Sequence, residues 1–355
     1  MSKTRFVTND PLTRKKWARD LFKMILPSIE YNTLTGAGSD AAVQINTDLG
    51  KGEGDEITFG IKYPLQEEPR VGEEEVEGFE EKLRFKDFKC KIEELNKAVD
   101  TGGKMEEQRV PYNLMVEAKA SLAEWWPGWL STLIINYLVG NSNYRVNGHI
   151  FANAPEEPDS AHHLLVNGKA NEAAITSADI IGLTFLDRLK QKAELMNLEV
   201  DGGIKLRPWT IKGKNYFKVL MHNYAFEMLR KDTDVGEWGD LRRNANQLGV
   251  PEVEIEYNGL LISKTERIPK MRSVGSVPNA GVYRAVLLGK QAATLAWGGA
   301  GESKGTVMSF VPYTKDAKRF TMIRGGAILG MRKTKFDSMD YGVITASAYA
   351  EPTQA

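Results

Sequence analysis

The chain has 355 residues, enough for one large domain or two fused ones. Its 47 basic residues balance 47 acidic ones, and 42% hydrophobic with 26% charged residues is ordinary globular composition; this excludes a mostly disordered chain and a generally basic nucleic-acid coat. A single cysteine, Cys90, excludes an internal disulfide framework and a multi-thiolate metal cluster.

The N-terminal segment is basic: residues 1–26 hold seven basic residues against Asp10 and Asp20. It lacks a continuous apolar region before a small-residue cleavage site, so no signal peptide is expected, and the reading is of a soluble intracellular product. Residues 13–29 have the pattern of an amphipathic helix, with Trp17, Leu21, Ile25 and Ile29 at four-residue spacing, a cap at Asp10 or Thr13 and a limit at Pro27. Such a short helix is marginal alone, which makes Trp17, Leu21 and Ile25 candidate contacts with another copy of the chain.

After the Gly-rich link TGAGSD, the alternation of Ile57, Phe59 and Ile61 predicts a strand. A turn-rich acidic stretch follows, and then KLRFKDFKCKI alternates again, with Leu83 and Phe85 on one face and Phe88, Cys90 and Ile92 on the other; a bulge is expected near Asp87. Strand, acidic loop, strand makes an extended hairpin with too few apolar residues at its tip to fold by itself. Residues 53–87 hold twelve acids against five bases, whereas 303–335 hold eight bases against Asp316. Each block taken alone suits a solvated surface, but blocks of opposite sign in one neutral chain also suit contact between copies. The candidates are Glu73, Glu74, Glu75, Glu77, Glu80 and Glu81 against Lys315, Lys318, Arg319, Arg332, Lys333 and Lys335.

The segment 105–129 is the most helix-periodic, with Leu114, Ala118, Leu122, Trp125 or Trp126, and Trp129 on one face. Leu114, Leu122, Trp125, Trp126 and Trp129 are expected to form a core spine, since large aromatics dominate core burial; a ligand stack is the alternative. Pro111 fits a first turn, and Pro127 is expected to kink or end the helix before a second one over 129–139. The longest apolar run, around Leu130–Val139, is far short of the roughly 18 residues of a membrane span. Residues 140–175 read as loop, with His162 and His163 as surface polarity. SADIIGLTFLDRLKQKAELMN reads as a helix capped by Ser177 with Ile180, Ile181, Phe185 and Leu189 inward. Next come a strand running into a turn or helix over 215–229, a helix over 232–249, and two short strands around Asn258-Gly259. YRAVLLGKQAATLAWGG reads as a buried strand followed by a helix, and the end as strands with turns at Gly325-Gly326 and Asp337–Asp340.

Catalytic patterns are missing. The four histidines lack a metal-site partner at helical spacing, and GGAGESKG, GGK at 102–104 and GK at 289–290 all depart from the phosphate-loop pattern. There is no nucleophile elbow, and the acids sit on a solvated loop where burial cannot raise a pKa for proton transfer. No cofactor, metal or catalytic residue is expected, and an enzyme is poorly supported.

LGKGEGDEITF (49–59), VEGFEEKLRF (76–85) and MEEQRVPYNLMVEAKASLAEWW (105–126) are followed by 218–241, 256–269, YRAVLLGKQAATLAWG (283–298) and 330–350. In this order they resemble the major capsid proteins of tailed phages, in the N4-like branch of the Hong Kong 97 fold. The resemblance implies an α+β subunit with an N-terminal arm (1–48), an extended hairpin over a neighbour (49–95), a peripheral domain with a spine helix and an insertion (96–175), an axial domain (176–300) and C-terminal strands returning to the peripheral domain (301–355). It also implies self-assembly into hexamers and pentamers of an icosahedral head shell around double-stranded DNA, assembled in the host bacterial cytoplasm. Portal and scaffold or decoration proteins are the implied partners, with weak non-specific DNA contact and no membrane. Two rivals are an encapsulin-like compartment, distinguished by particle contents, and a nucleic-acid-binding protein built on the basic N-terminal helix, distinguished by steep salt dependence.

Overall fold

The computed structural model describes residues 34–48, 54–62, 65, 68–72, 76–109, 113–196, 205–232, 238, 241–243, 245, 253–275, 277–299 and 308–352. The expected arm helix with Trp17, Leu21, Ile25 and Ile29, the acids Glu73, Glu74 and Glu75, Pro111 and most of 232–249 lie outside these residues.

In chain order, β1 (Thr35–Gly36) and β2 (Val43–Asn46) precede the hairpin strands β3 (Glu56–Lys62) and β4 (Phe85–Lys91). Then come β5 (Glu93–Gly103), α1 (Lys104–Arg109), α2 (Leu114–Val139), β6 (His163–Leu165), α3 (Leu183–Leu195), β7 (Trp209–Ile211), β8 (Lys214–His222) and α4 (Asn223–Asp232). The remainder is strands: β9 (Ile255–Tyr257), β10 (Leu260–Thr265), β11 (Lys270–Ser273), β12 (Gly281–Leu288), β13 (Ala293–Trp297), β14 (Met308–Lys315), β15 (Phe320–Lys333), β16 (Lys335–Phe336), β17 (Met339–Asp340) and β18 (Val343–Ala350).

Two sheets share one continuous core with α2. A six-stranded sheet runs β1-β2-β13-β15-β14, with β5 also on β15. An eight-stranded sheet runs β6-β18-β12-β8-β10-β9, with β7 on β8 and β11 on β12. Sheet membership crosses the boundaries expected from the resemblance. β18, in the last fifty residues, pairs with β12 over eight residues, and β13, before residue 300, lies between β2 and β15. All eight residues of β12 and all eight of β18 are buried, so these strands have no solvent face to alternate toward.

The long helix starts later and ends later than expected. Asn113 caps α2, its Oδ1 accepting from the Met115 and Val116 N–H groups at 3.0 and 3.4 Å, and the helix runs unbroken through Pro127 to Val139. Proline removes one ladder donor there, and the turns that follow carry side-chain bonds: Arg267 Nη1 donates from outside the helix to Gly128 O (3.2 Å) and Thr132 Oγ1 (3.1 Å), and Ser131 Oγ donates to Pro127 O (2.9 Å) within it. At the far end Gly140 takes a left-handed φ of 71°, and a Cβ there would meet Glu156 O at 2.6 Å. Arg284 donates to the Val139 and Gly140 carbonyls while pairing with Glu172 at 2.6 Å.

Other expectations needed correction. The helix expected from Ser177 begins at Leu183, with Gly182 at the cap position; Phe185 and Leu189 do point inward. ATLAW is strand β13 and no helix, since a short apolar run buried on both faces is ambiguous by periodicity alone. Gly325-Gly326 is no turn but lies inside β15, because a Cβ at Gly325 would sit 2.9 Å from Trp126 Nε1 and from the Phe310 ring. β4 pairs with β3 in unbroken register with no bulge; alternate faces account for its pattern, with Phe88 and Cys90 buried and Phe85 exposed. The β9–β10 turn at Asn258-Gly259 (φ 47° and 76°) and the β16–β17 turn at Asp337-Ser338 (φ 51° and 67°) stand where turn residues predict them.

Candidate functional site

Among the described residues the hairpin β3–β4 is a two-stranded sheet. Beyond its root, Val71, Val76, Phe79, Leu83 and Phe85 are all more than half exposed. Among the expected acids, Glu77 and Glu80 are exposed; Glu81 is half-buried and pairs with Arg84 at 3.8 Å. This is an apolar and acidic projection that buries little against its own subunit.

Of the six expected basic partners, three are exposed. Lys315, Lys318 and Arg319 are exposed around the β14–β15 turn, with Arg319 paired to Asp316 at 3.4 Å. Arg332, Lys333 and Lys335 do not belong to that surface. Lys333 is 2% exposed and its Nζ lies 2.6 Å from Asp340 Oδ2, itself fully buried. Lys335 pairs with Glu156 (3.2 Å) and Asp340 (3.5 Å), and Arg332 pairs with Glu156 (2.8 Å) and donates to Lys89 O (2.6 Å). The charge run therefore splits: β15 and β16 carry its far end to a buried Lys333 and to Arg332 and Lys335, half-buried, and each of the three is paired within the chain.

These inward charges clamp the root of the hairpin to residues 152–162. Asn153 accepts from Lys91 N–H (3.1 Å) and donates to Lys91 O (2.9 Å) and Met331 O (3.2 Å); the Ala152 N–H donates to Glu93 at 2.7 Å. Lys86 reaches Asp337 at 3.0 Å, and Phe59, Phe88, Phe336 and Tyr341 pack as a small second core. His162 was expected on the surface, yet it is wholly buried, its Nδ1 2.8 Å from Asp159; Asp159 also accepts the Asp340 N–H. His163 is no surface residue either: it lies in β6, beside β18, and bonds Ser347 at 2.8 Å. Burial opposes ionisation of Asp159, but the hydrogen bonds from His162 and Asp340 outweigh it and hold the carboxyl at about 2. Burial pushes Lys333 down and Asp340 up, and their mutual attraction resists both shifts. Burial also pushes the Cys90 thiol up to about 12, which makes it a packing residue and not a nucleophile.

The tryptophan spine divides as well. Trp126 is buried, with Ala118, Leu122 and Leu130 on the same face, whereas Leu114 and Trp129 are half-buried and Trp125 is 37% exposed. Trp125 and Trp129 stack at 5.9 Å and 17°, with Lys97 Nζ 5.0 Å above Trp125. Together they border a cleft of about 440 Å³ between α2 and β5. Among the described residues no group of His, Cys, Asp and Glu could hold a metal ion, and no helix is long and apolar enough to cross a membrane.

A projecting loop, charged edges and a core spread over two sheets describe a part made for contact with other parts. The family model for phage capsid proteins matches residues 5–351. The chain belongs to the phage capsid protein family. This capsid protein is a structural component of the head shell, located in the virion, and not an enzyme. Its fold is of the Hong Kong 97 type. It is similar to the capsid of Ralstonia phage GP4, with a TM-score of 0.81 at 22% identity over 91% of each chain. It is also similar to the capsid of cyanophage Pam1 (TM-score 0.68, 16% identity, 99% of this chain and 94% of that one) and the head of Helicobacter pylori bacteriophage KHP40 (0.65, 14%, 99% and 93%). A search among curated proteins finds no match.

Proposed function

We propose that this capsid protein closes the icosahedral shell by meeting copies of itself, in hexamers and pentamers, through the extended hairpin and the N-terminal arm. The observation that carries this reading is the hairpin, which places Val71, Val76, Phe79, Leu83 and Phe85 in water, where a lone subunit gains nothing from them. Glu77, Glu80 and Glu81 on one copy face Lys315, Lys318 and Arg319 on the next; each rim pair contributes only about 0–1 kcal/mol, but the contact repeats around the shell. Trp17, Leu21 and Ile25 of the arm add an apolar stripe of the same use. The division into arm (1–48), hairpin (49–95), peripheral (96–175 and 301–355) and axial (176–300) parts follows the same reading.

The finer placement in the N4-like branch rests on the ordered segments from 49–59 to 330–350. The shell encloses double-stranded DNA, which a neutral chain contacts weakly and without sequence preference. Assembly takes place in the host bacterial cytoplasm, with a portal and scaffold or decoration proteins as partners. Sedimentation of the purified chain tests the central claim: shells, or capsomers that convert to shells, are expected, and a strictly monomeric species at high concentration, with or without scaffold, overturns it. Deleting residues 1–30 leaves a soluble subunit with native circular dichroism that no longer closes; unfolding would place the arm in the subunit's own core, and normal shells would make it dispensable.

A further inference from the structure

The exposed large apolar side chains are gathered in two places. Leu65, Val71, Val76, Phe79, Leu83 and Phe85 lie on the hairpin, and Met105, Val116 and Trp125 on α1 and the outer side of α2; of the described residues, just Ile150 and Leu195 lie elsewhere. The first group sits on a projection, and Trp125 in the second borders a concavity. Trp126 forms the floor of that cleft, drawn against β15 because Gly325 has no side chain, and its indole N–H is buried with no partner. The stacked rings of Trp125 and Trp129 form one wall, and Lys97 stands on the rim.

We propose that this cleft receives the Phe79 side chain from the hairpin of a second copy of the chain. The inference rests on the reading of the hairpin as an inter-subunit contact, and it names the acceptor. An aromatic wedge flanked by Val76 and Leu83 suits a cleft walled by indoles, where ring pairs gain more than area alone. Charge fits in the same register. Glu77 and Glu80 flank Phe79, Lys97 marks the cleft, and Lys97 pairs with Gly325 on β15, five residues from Phe320, where the ribbon turns. At about 3.4 Å per residue, Lys315, Lys318 and Arg319 stand about 17 Å along the same ribbon, so one hairpin laid on it meets the cleft and the basic turn together. Donor and acceptor are different patches of one chain. Such a contact is heterologous and repeats head to tail until a ring closes, as a capsomer requires.

Two chains with one added cysteine each, Phe79→Cys and Lys97→Cys, co-assembled and treated with a short bismaleimide, test the contact; Cys90, buried with its thiol pushed up to about 12, leaves the background silent. Covalent dimers in particles, and a ladder when one chain carries both cysteines, are expected. Coupling confined to single subunits overturns the proposal, as does particle formation with no coupling. Coupling of Trp17→Cys to Lys97→Cys in place of Phe79→Cys shows that the arm fills the cleft and also overturns it. As a second readout, Phe79→Ser and Trp125→Ser each raise the subunit concentration needed for assembly at least tenfold at unchanged melting temperature, while Trp125→Phe does not; an unchanged threshold in Phe79→Ser counts against the contact. A full chain that forms no particles under any condition overturns the assembly reading itself, and this contact with it.

Discussion

Two ends of one basic run behave in opposite ways. Lys315, Lys318 and Arg319 lie in water around the β14–β15 turn, whereas Arg332, Lys333 and Lys335, thirteen or more residues on, are drawn into ion pairs beneath the hairpin. The residue types are the same, and the strand between them carries one end out of the solvent. Exposed charges cost nothing to leave unpaired and are available to a neighbour; buried ones must be matched within the subunit, because an unmatched buried charge is costly. A shell subunit needs both, a rigid root for its projecting hairpin and an adaptable surface at the tip.

The largest effect is expected at the root. Lys333→Ala removes the 2.6 Å partner of the buried Asp340 and leaves it only the longer contact with Lys335 at 3.5 Å, which should cost about 3–5 kcal/mol, read as a large fall in the denaturation midpoint of the isolated subunit. Replacing both partners together, Lys333→Met with Asp340→Leu, should recover most of that loss; no recovery would mean that Asp340 matters for something other than this pair.

Trp126→Ala comes next, at about 3–5 kcal/mol for a buried indole, while Trp125→Ala should leave subunit stability within about 1 kcal/mol because its ring is over a third exposed. Equal losses at the two positions would mean that Trp125 belongs to the core as first expected.

Acid should act in two stages. His222 is buried against Tyr283 (4.3 Å) and burial pushes it down to about 4, so its neutral form stabilises the fold above about pH 6.5 and this contribution is lost as pH falls toward 4. Asp159, held at about 2, contributes above about pH 3.9 and that contribution is lost as pH falls toward 2. Denaturant midpoints measured from pH 7 to 2 should fall in that order, and His222→Gln should flatten the first stage alone.

The smallest effect on the subunit is expected at the tip. Reversing Glu77, Glu80 and Glu81 to lysine should leave subunit stability within about 0.5 kcal/mol yet slow assembly, and reversing Lys315, Lys318 and Arg319 to glutamate in the same chain should partly restore it. Light scattering of assembling material would show the difference, and no rescue in the combined variant would break the tip-to-turn pairing.

The comparison also marks what could be read in advance. The hairpin, the inward faces of α2 and α3 and the β9–β10 turn at Asn258-Gly259 were legible, because each depends on periodicity or turn chemistry within a few neighbouring residues. The helix through Pro127 was not, because its brace is Arg267, 139 residues away from Gly128. Burial of His162 and the clamp by Asn153 were equally hidden, since Asn153 reaches Met331 on β15 and the Asp159 that holds His162 is itself held by the Asp340 N–H on β17. The cleft left one signal, three tryptophans within five residues, but periodicity assigned all three to the core when the helix turns Trp125 partly outward.

By itself the amino-acid order determined the hairpin, the turn at Asn258-Gly259, the segregation of charge into blocks and, through ordered motifs, the family; these survive without knowing which strand lies beside which. Tertiary structure alone decided that Gly325 and Gly326 stand inside a strand, that ATLAW pairs on both edges and that Lys333 is buried while Lys318 is exposed. The physical reason is the same in each case. Whether a glycine makes a turn or a gap, or a lysine a surface charge or a core ion, depends on which distant atoms fill the neighbouring space, and close packing settles that only when the whole chain has folded.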